Sequence, residues 1–170
     1  MSKSKFIVSA IAMAALFSFM PVAQAKVFSI PSEDAIATVN APDAWEPTET
    51  DNGIEMTSED GNIYISVDGV KADNLAGAVA DTVKLLADQG LVIDQASKKV
   101  ADSEDHGMKI HDFHFDAKDE DGPTNFGITV IESNVPNKYV MLTFWGSDEA
   151  IKANDKILQD MSHSIQLTKQ

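Results

Sequence analysis

The chain has 170 residues, with 13 lysines and no arginine against 27 Asp and Glu, a formal net charge of −14, and no cysteine. So acidic a surface repels nucleic acid and anionic lipid headgroups, and without arginine there is no planar fork for gripping phosphate at two points. The missing cysteines exclude disulfide staples, thiol nucleophiles and thiolate metal sites, so stability must come from an apolar core.

Residues 1–25 read as a cleaved secretory signal. Lys3 and Lys5 give a positive start, an apolar run follows over 6–19, and Pro21 precedes Ala23-Gln24-Ala25, an A-x-A cleavage pattern. The run is shorter than the roughly 20 residues a membrane-spanning helix needs, and no cysteine stands at the site to carry a lipid. Removing 25 residues with both lysines leaves 145 and moves the charge to −16. Residues 26–170 are expected to form a single domain with a real core. The expected location is a bacterial periplasm, with secretion to the medium as the alternative and no membrane span after cleavage.

In chain order, 27–30 is a short edge-strand candidate ended by Pro31, and 35–39 is the next strand. Ala41-Pro42-Asp43-Ala44-Trp45 turns the chain, and 46–52 reads as a loop closed by Asn52-Gly53. Strands at 54–58 and 62–68 flank Glu59-Asp60-Gly61, with Ile63, Ile65 and Val67 alternating against Tyr64 and Ser66, a hairpin pattern. Asp73 or Asn74 then caps a helix running to about Gln89. Leu75, Val79, Val83 and Leu86 line one of its faces, and Gly90 stands where a helix ends.

From Leu91 the strand period returns over 91–101, polar enough for a twisted edge strand, with a turn expected over 103–107. Three strands follow at 108–117, 125–133 and 138–145. Ser147 caps a last helix whose first turn carries Asp148 and Glu149 and whose apolar face is Ile151, Leu158, Met161 and Ile165. In the strand at 138–145, Val140, Leu142 and Phe144 face one way and Tyr139, Met141 and Trp145 the other. A strand apolar on both sides must be covered on both sides. The expected architecture is therefore α+β, an α/β/α sandwich with five to seven antiparallel strands, a helix on each face, and the order β-β-β-α-β-β-β-β-α.

This order, the Ala-Pro-x-x-Trp entry at 41–45 and the Ile157-Leu158…Ile165 ending resemble the PsbP-like and DcrB-like group of small exported α/β/α proteins. The resemblance implies an accessory or scaffold protein working through protein contacts, with no catalytic residue set to carry over and no cofactor.

Candidate sites are sparse. There is no G-x-S-x-G, no glycine-rich phosphate loop, and Ser162-His163-Ser164 lies on a helix, where sequence neighbours diverge. His111 and His114 lie on opposite faces of their strand and cannot share one ion, whereas His114 does share a face with Asp112 and Asp116, a candidate ligand or weak cation site. Asp119, Glu120 and Asp121 crowd a hairpin tip. They fail the EF-hand spacing, since aligning Gly122 at loop position 6 puts Ala117 at position 1. Together with Trp45, these acids are the candidate partner-binding residues; Trp45 and Trp145 can equally plug the core. The expected function is a non-enzymatic accessory or binding protein of the bacterial cell envelope with an envelope-protein partner. The alternative is a small-ligand or divalent-cation binder using surface carboxylates.

Overall fold

The computed structural model describes residues 25–88, 90–120 and 122–169. The expected leader, apart from Ala25, lies outside these residues, as do Gln89 and Asp121. The described elements are β1 (Ala25–Ile30), β2 (Ala37–Pro42), a 3-10 turn at Asp43–Trp45, β3 (Thr48–Glu49), β4 (Gly53–Thr57), β5 (Ile63–Lys71), α1 (Leu75–Asp88), β6 (Val92–Asp105), β7 (Met108–Asp119), β8 (Gly122–Glu132), β9 (Lys138–Gly146), α2 (Asp148–Ala153), α3 (Asp155–His163) and β10 (Gln166–Leu167). The class is α+β with antiparallel strands, as the alternation required. Five strands rather than three precede α1, and two helices and a last short strand replace the single closing helix.

The main sheet has seven strands in the order β3-β4-β5-β9-β8-β7-β6, so β9 is its middle strand. Its two-sided apolarity has a direct cause. Val140 and Leu142 belong to one core with Ile63, Ile65 and Val67 of β5, while Met141 joins Phe126, Ile128 and Val130 of β8 in another. The second core is closed by Ala78, Val79, Val83 and Leu86 of α1. The first is closed by Ala150, Met161 and Ile165, and also by Phe28, Ile30, Ala37, Val39 and Ala41 from β1 and β2.

Those last residues come from a second sheet, β1-β2-β10, which replaces the expectation of one continuous sheet. Its third strand has only two residues, too few to show a period, and it is set by pairing with β2 at Thr38 and Ala37. Side chains lock the join: Thr168 Oγ1 donates to the Ala35 carbonyl at 2.9 Å, and the Asn40 amide donates to Ser164 Oγ at 2.8 Å.

Local chemistry sets the element ends. Asn74 Oδ1 accepts from the Gly77 amide at 2.9 Å, capping α1, and the Leu91 amide donates to the Leu86 carbonyl as the helix closes. Ser147 Oγ accepts from the Ala150 amide at 3.2 Å and starts α2. The expected single last helix breaks at Asn154, whose Nδ2 bonds back to the Ala150 carbonyl at 3.1 Å in competition with the helical ladder.

The turn expected over 103–107 shrinks to His106-Gly107, both at positive φ (49° and 80°), which suits a two-residue hairpin. Gly127 serves a different purpose. A Cβ there would lie 2.3 Å from Phe144 Cε1, so the bare backbone of β8 is what lets that ring lie flat across it.

Thr124 Oγ1 is buried without a hydrogen-bond partner among the described residues, two positions before the fully buried Phe126. Leaving such a hydroxyl unpaired is costly, and a Val of the same shape removes the cost. Thr124→Val is expected to raise unfolding free energy by about 1 kcal/mol, and Phe126→Ala to lower it by about 3–5 kcal/mol. Urea-unfolding midpoints of the two variants check both signs.

Candidate functional site

The corner where the two sheets meet is built around Trp45. Pro42 ends β2 in extended geometry (φ −68°), the chain tightens into the 3-10 turn, and Glu46 at φ 47° releases it toward β3. This places Trp45 against the core with only 4% of its surface exposed. The ring is thus a structural wall rather than a projecting anchor.

Two depressions share that wall. One, of about 790 Å³, runs between Trp45, the exposed Ala44 and the α2–α3 junction at Ala153, Ile157 and Met161, with Glu59 and Asp60 on its rim. The other, of about 440 Å³, lies between Trp45 and Tyr64 and is edged by Glu46, Glu55 and Glu59.

The rim is rigid and anionic. Ser58 Oγ accepts from the amides of Ile63 (2.9 Å) and Asn62 (3.1 Å) and donates to Asp60 Oδ1 at 2.5 Å, which fixes the β4–β5 turn. The Ser58 hydroxyl, helped by Asn62, holds the Asp60 carboxyl below the usual carboxylate range. Tyr64 donates to Glu55 Oε2 at 2.9 Å and stacks on Trp145 at 4.1 Å between centroids. Burial first, then Glu55, pushes the Tyr64 hydroxyl well above its ordinary pKa.

The sequence carried a signal for this corner that motif reading passes over. Between Lys26 and Lys71 there are ten carboxylates and no basic residue.

The other candidate residues are more dispersed. Asp119 and Glu120 sit on the β7–β8 tip, where Asp119 Oδ1 accepts from the Gly122 amide at 3.0 Å; Asp121 lies outside the described residues. Because Asn125 pairs with Gly146 at the end of β9, this tip projects beyond that end of the sheet, with β9 standing between its hairpin and the β4–β5 hairpin that carries Glu59 and Asp60. Asp112, His114 and Asp116 share one face of β7 as the alternation requires. Side chains two apart on a strand stand roughly 7 Å from each other, and cross-strand neighbours draw these apart. Asp112 accepts from Thr129 Oγ1 at 2.6 Å, and the His114 ring meets Phe144 edge-on at 6.1 Å. Among the described residues no three His, Cys, Asp or Glu side chains are grouped so as to hold a metal ion.

The opposite face of β7 holds a pairing that the sequence reading missed. His111 Nδ1 lies 2.8 Å from Asp102 Oδ1 and its Nε2 lies 3.3 Å from Glu132 Oε1, while Lys109 Nζ reaches Glu132 Oε2 at 3.1 Å. These groups stand at one end of a groove of about 750 Å³ between α1 and the β6–β7 hairpin, walled by Val79, Val83, Phe113 and the 54%-exposed Val100. Had the turn been placed at His106-Gly107, the register Asp102↔His111 would have followed by counting.

No family model matches the sequence, and no curated protein matches it. Solved structures do share the fold. The solution structure of cyanobacterial PsbP (CyanoP) from Synechocystis sp. PCC 6803 matches with a TM-score of 0.58 over 90% of this chain and 99% of that one, at 11% identity. The fold is PsbP-like. LpqN of Mycobacterium tuberculosis, a protein involved in cell envelope biogenesis, matches at TM-score 0.54 and 9% identity, over 85% of this chain and 92% of its own. PA94 of Pseudomonas aeruginosa, of unknown function, gives 0.50 and 13%, over 86% and 99%.

Under the single helix α1 of this PsbP-like fold lie two ionisable groups with opposite behaviour. Asp68 borders a cavity of about 260 Å³ beside Thr82, Leu86 and Met141; burial raises its pKa, Glu55 adds to the rise, and Ser66 opposes it. Its charge in the folded state is unfavourable above the folded pKa, and the penalty vanishes once the group is protonated in both states. His111 is raised chiefly by the Asp102 hydrogen bond, with Glu132 assisting and burial opposing. Its contribution is full below the ordinary histidine value and fades as pH rises through the raised one.

Asp68→Asn is therefore expected to raise the melting temperature at pH 7, with the gain shrinking as pH falls toward 4, about the unfolded carboxyl value. His111→Gln is expected to cost more at pH 5.5 than at pH 8.5. Thermal melts across that range test both signs.

Proposed function

We propose that this chain is a non-enzymatic accessory protein of the bacterial cell envelope that acts by holding a protein partner, after export and cleavage following Ala25. The observation that carries this reading is the make-up of the Trp45 corner. Its floor is apolar and its rim carboxylate, its lining includes no histidine, and Asp60 is held anionic instead of being raised toward the range of a general acid. Asp68, whose carboxyl is raised, lines neither depression but a small cavity under α1 that shares Glu55 and Tyr64 with the smaller of them. Such a surface recognises shape and charge better than it performs chemistry.

The location rests on the leader pattern and is supported by LpqN, an envelope-biogenesis protein of the same fold, though fold alone assigns no activity. No helix among the described residues is long and apolar enough to cross a membrane, which is compatible with a protein working beside a partner.

The test places a photo-crosslinking amino acid at the exposed positions Ala44, Ala153 and Glu120 in living cells, with intact-mass analysis of the recovered protein. The expected result is a chain beginning at Lys26 and discrete adducts of defined mass from at least one position. Recovery of the full-length chain without reproducible adducts from any position contradicts the reading.

A further inference from the structure

We infer that the groove beside Trp45 docks a lysine- or arginine-bearing apolar segment of the partner protein, an inference that rests on the protein-binding reading above. Three features of the groove specify that occupant.

The first is shape. Ala44 and Ala153 are small and exposed at the mouth, and Ile157, Met161 and the Trp45 wall form the interior, so about 790 Å³ is open to a few apolar side chains. A pocket of this size suits side chains from a docking segment and is too small for a folded element to enter whole.

The second is charge. Glu59 makes no ion pair among the described residues, and the anionic Asp60 is bonded only to neutral donors. Lys156 pairs with Asp160 and Lys26 stands 3.8 Å from Glu49, so neither of these lysines neutralises Glu59 or Asp60. A cationic side chain brought to this rim meets unneutralised carboxylates, whereas an anionic one meets repulsion. The α1 groove offers no such selection, because Lys84, Lys98 and Asp102 mix both signs along it.

The third is rigidity. The rim is set by the Ser58 hydrogen bonds and the floor by the 3-10 turn that buries Trp45, so binding orders little of this chain, and the ordering cost stays on the partner's side.

The experiment uses a Trp145→Phe background, in which Trp45 is the sole tryptophan. Its fluorescence and calorimetric heat are followed on titration with a short amphipathic Lys-Leu peptide, the matching Glu-Leu peptide and oligolysine. The expected result is binding of the Lys-Leu peptide with a change in Trp45 emission, weaker binding of oligolysine and none of the Glu-Leu peptide. Glu59→Lys and Ala153→Trp should each weaken binding about tenfold or more, while Glu104→Lys, exposed on the opposite edge strand β6, changes it little. Ala44→Lys, an exposed substitution, repeats the test should Ala153→Trp fail to fold. Equal losses from Glu59→Lys and Glu104→Lys would reduce the effect to general attraction by an acidic protein and overturn the inference, as would the absence of binding. Partner crosslinks confined to Glu120 would also overturn it, while leaving the protein-binding reading intact.

Discussion

The structure depends on β9 being buried on both faces. Val140 and Leu142 look into one core and Met141 into the other, which only a middle strand covered from both sides can accommodate. Once β9 is central, β5 and β8 must flank it, and α1 must cross one face while α2, α3 and the β1-β2-β10 sheet fill the other. Around β5, β9 and β8 both faces of the sheet are thereby committed to packing. What remains for function lies at strand ends, edges and the seams between layers, and the Trp45 corner is such a seam.

That seam shows how a structural residue can shape a surface without reaching out from it. Trp45 is buried, yet its ring lines two depressions, and the carboxylates around it come from separate segments, Glu46 after the 3-10 turn, Glu55 on β4 and Glu59 and Asp60 on the β4–β5 turn. The PsbP-like fold supplies the scaffold. At 9–13% identity to the solved structures that share it, the scaffold says little about what is bound, and the chemistry has to be read from this chain's own side chains.

Much of the fold was legible because periodicity is local. The hairpin around Gly61, the α1 face, the cap at Ser147 and the two-sided β9 each follow from residues within a few positions of one another. The second sheet was not, since β10 has two residues and exists only through pairing with a strand well over a hundred positions earlier. The Asp102–His111 pair was hidden by a turn drawn too wide, because one residue of uncertainty in a hairpin reassigns every cross-strand neighbour. The acidic corner was present in composition, as a long stretch without lysine, but its meaning required knowing that Glu46, Glu55, Glu59 and Asp60 converge around Trp45. Conversely, Asp112, His114 and Asp116 look clustered in sequence, but a strand spreads such neighbours along its length.

Native-state hydrogen exchange addresses the central position of β9 most directly. The account predicts that amides of Val140–Phe144 exchange only through global unfolding, together with those of Ile65 and Val130, while amides of the edge strand β6 open at much lower free energy. Exchange of the β9 amides as fast as those of β6 would contradict a middle strand sealed on both faces, and with it the layering on which the Trp45 seam rests.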